Sequence, residues 1–311
     1  MRNYKKIGFF ILAPIAIALI IFFNQTKTPI DTRVMVSVST FSLYDITQHI
    51  AQDTVKIVNI LPFGVDPHSF EPTPKLMADI EKSQLVLYSG AGLEPWTHGY
   101  DFHNASIDMS EHVRLRKLDS DEFEHHQHHD HQCVHNTLDP HYWLDFANMQ
   151  KSAEIITQAL IKVLPQNKKL YETNKDKYIT MLNELNRAYS TQLKSCKLDT
   201  IIVNHNAFGY LSHRFGFHVE ALSGLTPNAQ PNAKNMSRLI KDIEHHGVST
   251  VFVESFASAK AMHSVAKEAD VEVDILQPLG NITANEAEKK LTYEQIMKMN
   301  LVKIQKALMC R

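Results

Sequence analysis

Apolar residues in this chain fall into short β-branched runs separated by amphipathic stretches. Val34-Met35-Val36-Ser37-Val38-Ser39 alternates and predicts a first strand. Phe41 to Ala51 reads as a helix, and Val55 to Leu61 as a second strand ending at Pro62-Phe63-Gly64. Leu76, Met77 and Ile80 share one face of a helix predicted over Lys75 to Ser83. Leu85 to Tyr88 is a short buried strand closed by Ser89-Gly90. This β-α-β-α-β order predicts a mostly parallel sheet covered by helices. Such sheets bind ligands at the carboxyl ends of their strands.

A second α/β half follows. Thr200 to Val203, Val248 to Glu254 and Val271 to Ile275 predict strands, with helices over Ser237 to His246 and Ala259 to Ala269. Between the halves runs a helical stretch broken at Pro165, from Ala147 to Leu164 and from Asn167 to Lys194. Leu170, Tyr178, Met181, Leu182, Leu185 and Leu193 supply its apolar face. About 28 helical residues span about 42 Å, enough to bridge two domains.

The N-terminus breaks the pattern. Arg2, Lys5 and Lys6 precede an uncharged apolar run, Ile7 to Phe23. Residues 1–26 therefore read as a signal peptide or an uncleaved N-terminal membrane anchor. Either places the rest in the periplasm or on the outer face of the cytoplasmic membrane. Losing residues 1–24 takes the formal net charge from −2 to −5. Charged residues are 21% with nearly balanced signs, which argues against nucleic-acid binding through a general basic surface. Export also permits a Cys196–Cys310 disulfide, with free thiols as the alternative.

Histidine is the outlier, with 18 copies. Six crowd into residues 125–135: His125, His126, His128, His129, His131 and His135. The surrounding stretch, residues 121–135, has no hydrophobic period and carries flanking carboxylates and Cys133, so it reads as an accessory metal-capture loop. Three other histidines have more specific settings. His68 follows Asp66-Pro67, His141 follows Asp139-Pro140, and His205 follows Asn204 at a predicted strand end. Proline restrains the backbone before each of the first two imidazoles, and Asp66, Asp139 and Asn204 are candidates to orient the rings. Three imidazoles and a fourth donor make a zinc site.

These segments resemble the metal-specific solute-binding proteins of ABC importers, the zinc- and manganese-type group. The resemblance rests on residues 64–74 (Gly-Val-Asp-Pro-His-Ser-Phe-Glu-Pro-Thr-Pro), Asp139 to Asp145, Asn204 to Tyr210 and Gly224 to Lys234, and covers roughly residues 34–308. It implies an α/β fold of two lobes with mostly parallel sheets, bridged by one long rigid helix. The lobes would span residues 34–164 and 197–311, with the bridge at 165–196. It implies His68, His141 and His205 as ligands of Zn(II), carried as cargo to an ABC permease and its ATPase. The family's fourth ligand is a carboxylate after the last strand, where this chain has Gly280 in Pro278-Leu279-Gly280-Asn281-Ile282-Thr283. Glu286, another nearby carboxylate, a loop histidine or water then become candidates for the fourth position. Alternatives are a Mn(II) or Fe(II) carrier, a surface adhesin, or a zinc hydrolase using Glu254 or Glu286 as base. No His-Glu-x-x-His pair supports the hydrolase.

Overall fold

The computed structural model describes residues 31–117, 138–226, 232–254 and 259–311. The predicted signal or anchor at 1–26 and the histidine-rich stretch at 121–135 lie outside these residues. Among them, no helix is long and apolar enough to cross a membrane.

The first half contains β1 (Val34–Val38), α1 (Phe41–Ala51), β2 (Val55–Asn59), α2 (Pro74–Glu81), β3 (Leu85–Tyr88) and β4 (Ala105–Asp108). Its strands form a parallel sheet in the order β2-β1-β3-β4. Val36, Val38, Leu85 and Leu87 point into the main core, while Val86 joins Ile60, Ile80 and Trp96 on the opposite face. Burial on both faces explains why β3 reads as an unbroken apolar run. Thr73 caps α2 through a bond from the Leu76 amide, and Pro74 stands in the first turn.

Two short strands follow, β5 (Arg116–Lys117) and β6 (Leu138–Asp139), paired antiparallel. Then come α3 (Phe146–Val163) and α4 (Lys168–Gln192), separated by a single 3-10 turn at Pro165–Asn167. The long helix is thus 25 residues, about 38 Å. Its buried stripe is Tyr171, Asn174, Tyr178, Leu182, Leu185 and Tyr189, spaced by three and four. Leu170, expected on that face, is exposed, and Tyr171 takes the inward position instead. Near its start, Asn174 Nδ2 donates to the Ile50 carbonyl of α1 at 3.0 Å, and Tyr178 Oη donates to Asp45 Oδ2 of α1 at 2.8 Å.

The second half holds β7 (Thr200–His205), α5 (Gly209–Phe215), β8 (His218–Ser223), α6 (Ala233–His246), β9 (Thr250–Val253), α7 (Lys260–Glu268), β10 (Glu272–Ile275), α8 (Ala284–Glu288) and α9 (Tyr293–Ala307). Its sheet is again parallel, in the order β10-β9-β7-β8. Ile201, Val203 and Phe252 face the main core, whereas Ile202, Val251 and Val253 face α6 and α7. The main core is therefore continuous from β1 through α4 to β7 and α9.

Helix α9 returns to the first half. Its Tyr293 amide donates to Asp45 Oδ1 at 3.0 Å, and the Tyr189 hydroxyl of α4 donates to its Met297 carbonyl at 2.7 Å. A Cys196–Cys310 disulfide links the chain across 114 residues and anchors the end of α9 beside the end of α4.

Candidate metal centre

Each of the three singled-out histidines stands just beyond or at a strand end. His205 is the last residue of β7. His68 lies in the loop that follows β2, and His141 follows β6 by two residues. The two Asp-Pro-His segments fold alike. Asp66 Oδ1 accepts the His68 amide at 3.0 Å, and Asp139 Oδ1 accepts the His141 amide at 3.0 Å. A short carboxylate reaching forward two residues makes this local turn, and proline presets φ within it.

The rings converge. One ligating nitrogen from each of His68, His141 and His205 lies within 4.8 Å of the others. The His141 Nε2 is 3.3 Å from His68 Nε2 and 3.4 Å from His205 Nε2. Ring centroids are 5.3 to 5.9 Å apart. The pocket they enclose has a volume of about 10 Å³, room for about one water-sized occupant. Asp66, Pro67, Trp143, Glu254, Pro278 and Gly280 complete its wall.

Nitrogens this close repel as cations. Burial, together with the neighbouring His141 and His205 charges, holds His68 well below the ordinary imidazole range. Burial and the His205 charge do the same to His141. Both are therefore neutral at pH 7, the state that donates a lone pair to a metal. Behind His141, Asp139 Oδ1 accepts from Nδ1 at 2.8 Å. Behind His205, Glu254 Oε1 engages Nδ1. A carboxylate on Nδ1 fixes the tautomer that turns Nε2 toward the pocket. Burial pushes Asp139 up to about 7, against the opposing pull of the His141 amide and the Arg116 charge.

The third motif also supports the second. Tyr210 Oη accepts the Arg116 amide and donates to the Asp139 carbonyl, both at 2.8 Å. Arg116 Nη1 is 3.6 Å from Asp139 Oδ2. A Cβ on Gly209 would stand 2.1 Å from Arg116 Nη1 and 3.0 Å from Asp139 Oδ2, so only glycine permits this approach.

Other expected residues are arranged differently. Asn204 contributes its carbonyl to Ser223 Oγ at 3.0 Å, and the partner of the His205 ring is Glu254. From the sequence alone Glu254 is a candidate only as a hydrolytic base. Its position at the end of β9, beside the His205-bearing β7, was the available signal. Glu286 stands apart from the pocket wall. It accepts from Gln277 Nε2 at 2.7 and 2.8 Å and closes a capping box with Thr283 at the start of α8. Gly280 does line the pocket, and a Cβ there would lie 3.3 Å from Trp143 and 3.4 Å from Pro67. The indole thus packs into space that a side chain at 280 would contest. Trp143 is fully buried, donates to the Pro278 carbonyl at 2.6 Å, and meets His141 edge-on at 5.5 Å. His125, His126, His128, His129, His131 and His135 are outside the described residues.

The family model for the zinc-uptake complex component A, periplasmic (ZnuA), matches residues 36–307. The chain belongs to this family. ZnuA proteins are metal-binding solute-binding proteins for zinc transport and are not enzymes. Family membership brings an extracytoplasmic setting, an ABC permease as partner and a divalent metal as ligand of the three-histidine site. The high-affinity zinc uptake system protein ZnuA of Bacillus subtilis is 30% identical over 93% of this chain and 92% of its own length. The zinc-binding lipoprotein AdcA of Streptococcus pneumoniae is 27% identical, and this chain spans 60% of it. The Zn(II)-bound ZnuA-like domain of AdcA superposes with a TM-score of 0.73 at 26% identity, covering 89% of this chain and 99% of that domain. A laminin-binding protein of Streptococcus agalactiae, described as both adhesin and metal transporter, shares the fold, with a TM-score of 0.77 at 24% identity. It covers 88% of this chain and 99% of that protein.

Proposed function

We propose that this chain captures Zn(II) outside the cytoplasm and delivers it to the permease of an ABC importer. The observation that carries the reading is the convergence of three imidazole nitrogens within 4.8 Å. On this reading His68, His141 and His205 are the metal ligands. Asp66 and Asp139 shape the turns that present them, and Glu254 orients His205. The fourth coordination position goes to water, because Glu286 is engaged at α8 and position 280 carries no side chain. Neutral nitrogen donors favour Zn(II) over Mn(II), which prefers oxygen. The names of the Bacillus and streptococcal relatives support the same metal.

Residues 121–135, with their six histidines, then act as an accessory metal-capture segment of low specificity. Residues 1–26 direct export and, if uncleaved, hold the protein on the outer face of the cytoplasmic membrane. Residues 34–164 and 197–311 act as lobes about a bridge at 165–196.

Equilibrium competition on the purified chain tests the reading. Zinc is expected to be retained against a large excess of Mn(II), and His205→Ala to lose it. Displacement of zinc by equimolar Mn(II) or Fe(II) would instead make the chain a carrier of that metal. Hydrolysis of esters, amides or phosphates that vanishes in His205→Ala would overturn the carrier reading altogether.

A further inference from the structure

A second cavity, of about 450 Å³, opens between β5, the start of α3 and α5. That size suits a small ligand. Arg114, Arg116, Lys117 and Arg214 line it beside His213, and among the described residues the lining carries a single carboxylate, Asp145. We infer that this cleft binds a phosphate-type oxyanion, either a free phosphate or a phosphate headgroup.

The cleft is built rather than merely charged. Asn148 clamps the Arg114 backbone twice: its Oδ1 accepts the Arg114 amide at 3.0 Å, and its Nδ2 donates to the Arg114 carbonyl at 2.9 Å. The Tyr210 hydroxyl holds the Arg116 amide, and the Arg116 guanidinium lies 5.9 Å from the Tyr210 ring centroid. Arg214 is set in place by Asn186 at 2.8 Å and by Asp145 at 3.2 Å. The Arg116 and Arg214 guanidinium forks, held in this way, match the oxygens of a tetrahedral anion and lose little freedom on binding it, and the clamped backbone sets Arg114 beside them. Three of the cations come from β5 and the residues leading into it, and one from α5. A bound oxyanion therefore ties the first half of the chain to the second. Arg116 also reaches Asp139 behind His141, whereas Arg114, Lys117 and Arg214 stand clear of the three-histidine pocket.

Calorimetric titration of the metal-free chain with inorganic phosphate tests the inference, with chloride holding ionic strength constant. We expect saturable binding and a raised melting temperature. Arg114→Ala/Lys117→Ala, two exposed positions, should weaken binding at least about tenfold. That variant should melt normally without phosphate and keep its zinc affinity. Co-sedimentation with phosphatidylglycerol vesicles but not phosphatidylcholine vesicles, competed by phosphate, would identify a headgroup as the ligand. Phosphate binding without co-sedimentation would identify the free ion. Stabilisation no greater than chloride gives, or equal affinity in the double variant, would overturn the inference. So would phosphate binding seen only after deletion of residues 119–135, because the cleft would then belong to the chain's own carboxylates.

Discussion

Carboxylates decide how the histidines behave. Asp139 and Glu254 hold the Nδ1 atoms of His141 and His205. Loss of such support typically costs ten- to a hundredfold in metal affinity. Asp139→Ala and Glu254→Ala should each show a loss of about that size in zinc titrations, and His141→Ala a larger one. Asp139 was legible from the Asp-Pro-His tripeptide, because two residues of chain fix its reach. Glu254 was not, because its partner lies 49 residues away on another strand. Another buried carboxylate, Glu94, controls stability rather than binding. Burial pushes it up to about 7 from 4.5, although Ser39, Ser89 and Gly90 donate to it. A raised acid binds its proton more tightly when folded. Its contribution is present below pH 4.5 and lost as pH rises toward 7, by about 3 kcal/mol. Chemical denaturation across that window should show the decline, and Glu94→Gln should flatten it.

Helices α4 and α9 hold the halves together through contacts that individual residues do not reveal. Asp45 of α1 accepts both the Tyr178 hydroxyl of α4 and the Tyr293 amide of α9. Tyr178→Phe leaves that buried carboxylate short of a donor and should cost about 1–3 kcal/mol in equilibrium unfolding. The Cys196–Cys310 link closes a loop of 114 residues. By chain entropy it is worth about 5 kcal/mol, so a Cys196→Ser/Cys310→Ser variant should unfold at markedly lower denaturant. Strands buried on both faces are legible as unbroken apolar runs, and the long helix by its apolar residues at three- and four-residue spacing. Helix α9 was overlooked although Tyr293, Ile296, Met297, Asn300, Leu301 and Ile304 make a buried stripe at helical spacing. Strand β8 was overlooked because His218, Val219 and Glu220 dilute its apolar run. Strands β5 and β6 are two residues each and carry no period at all.

Among the described residues from Val34 onward, two parallel four-stranded sheets share one core, and the three histidines come together where the halves meet. A continuous core and a 25-residue helix restrict domain motion to small displacements. Small-angle scattering should find zinc-free and zinc-loaded forms within about 1 Å in radius of gyration. A larger contraction would mean a wide hinge. The sequence by itself determined the α/β class and singled out the three histidines that the fold brings together, because local periodicity and turn residues encode these within a few positions. The tertiary structure alone decided which carboxylates stand behind the rings. It also decided that Glu286 caps a helix and that Trp143 packs against Gly280. Those outcomes depend on contacts between residues far apart in the chain, set by how sheets and helices pack, and no local pattern records them.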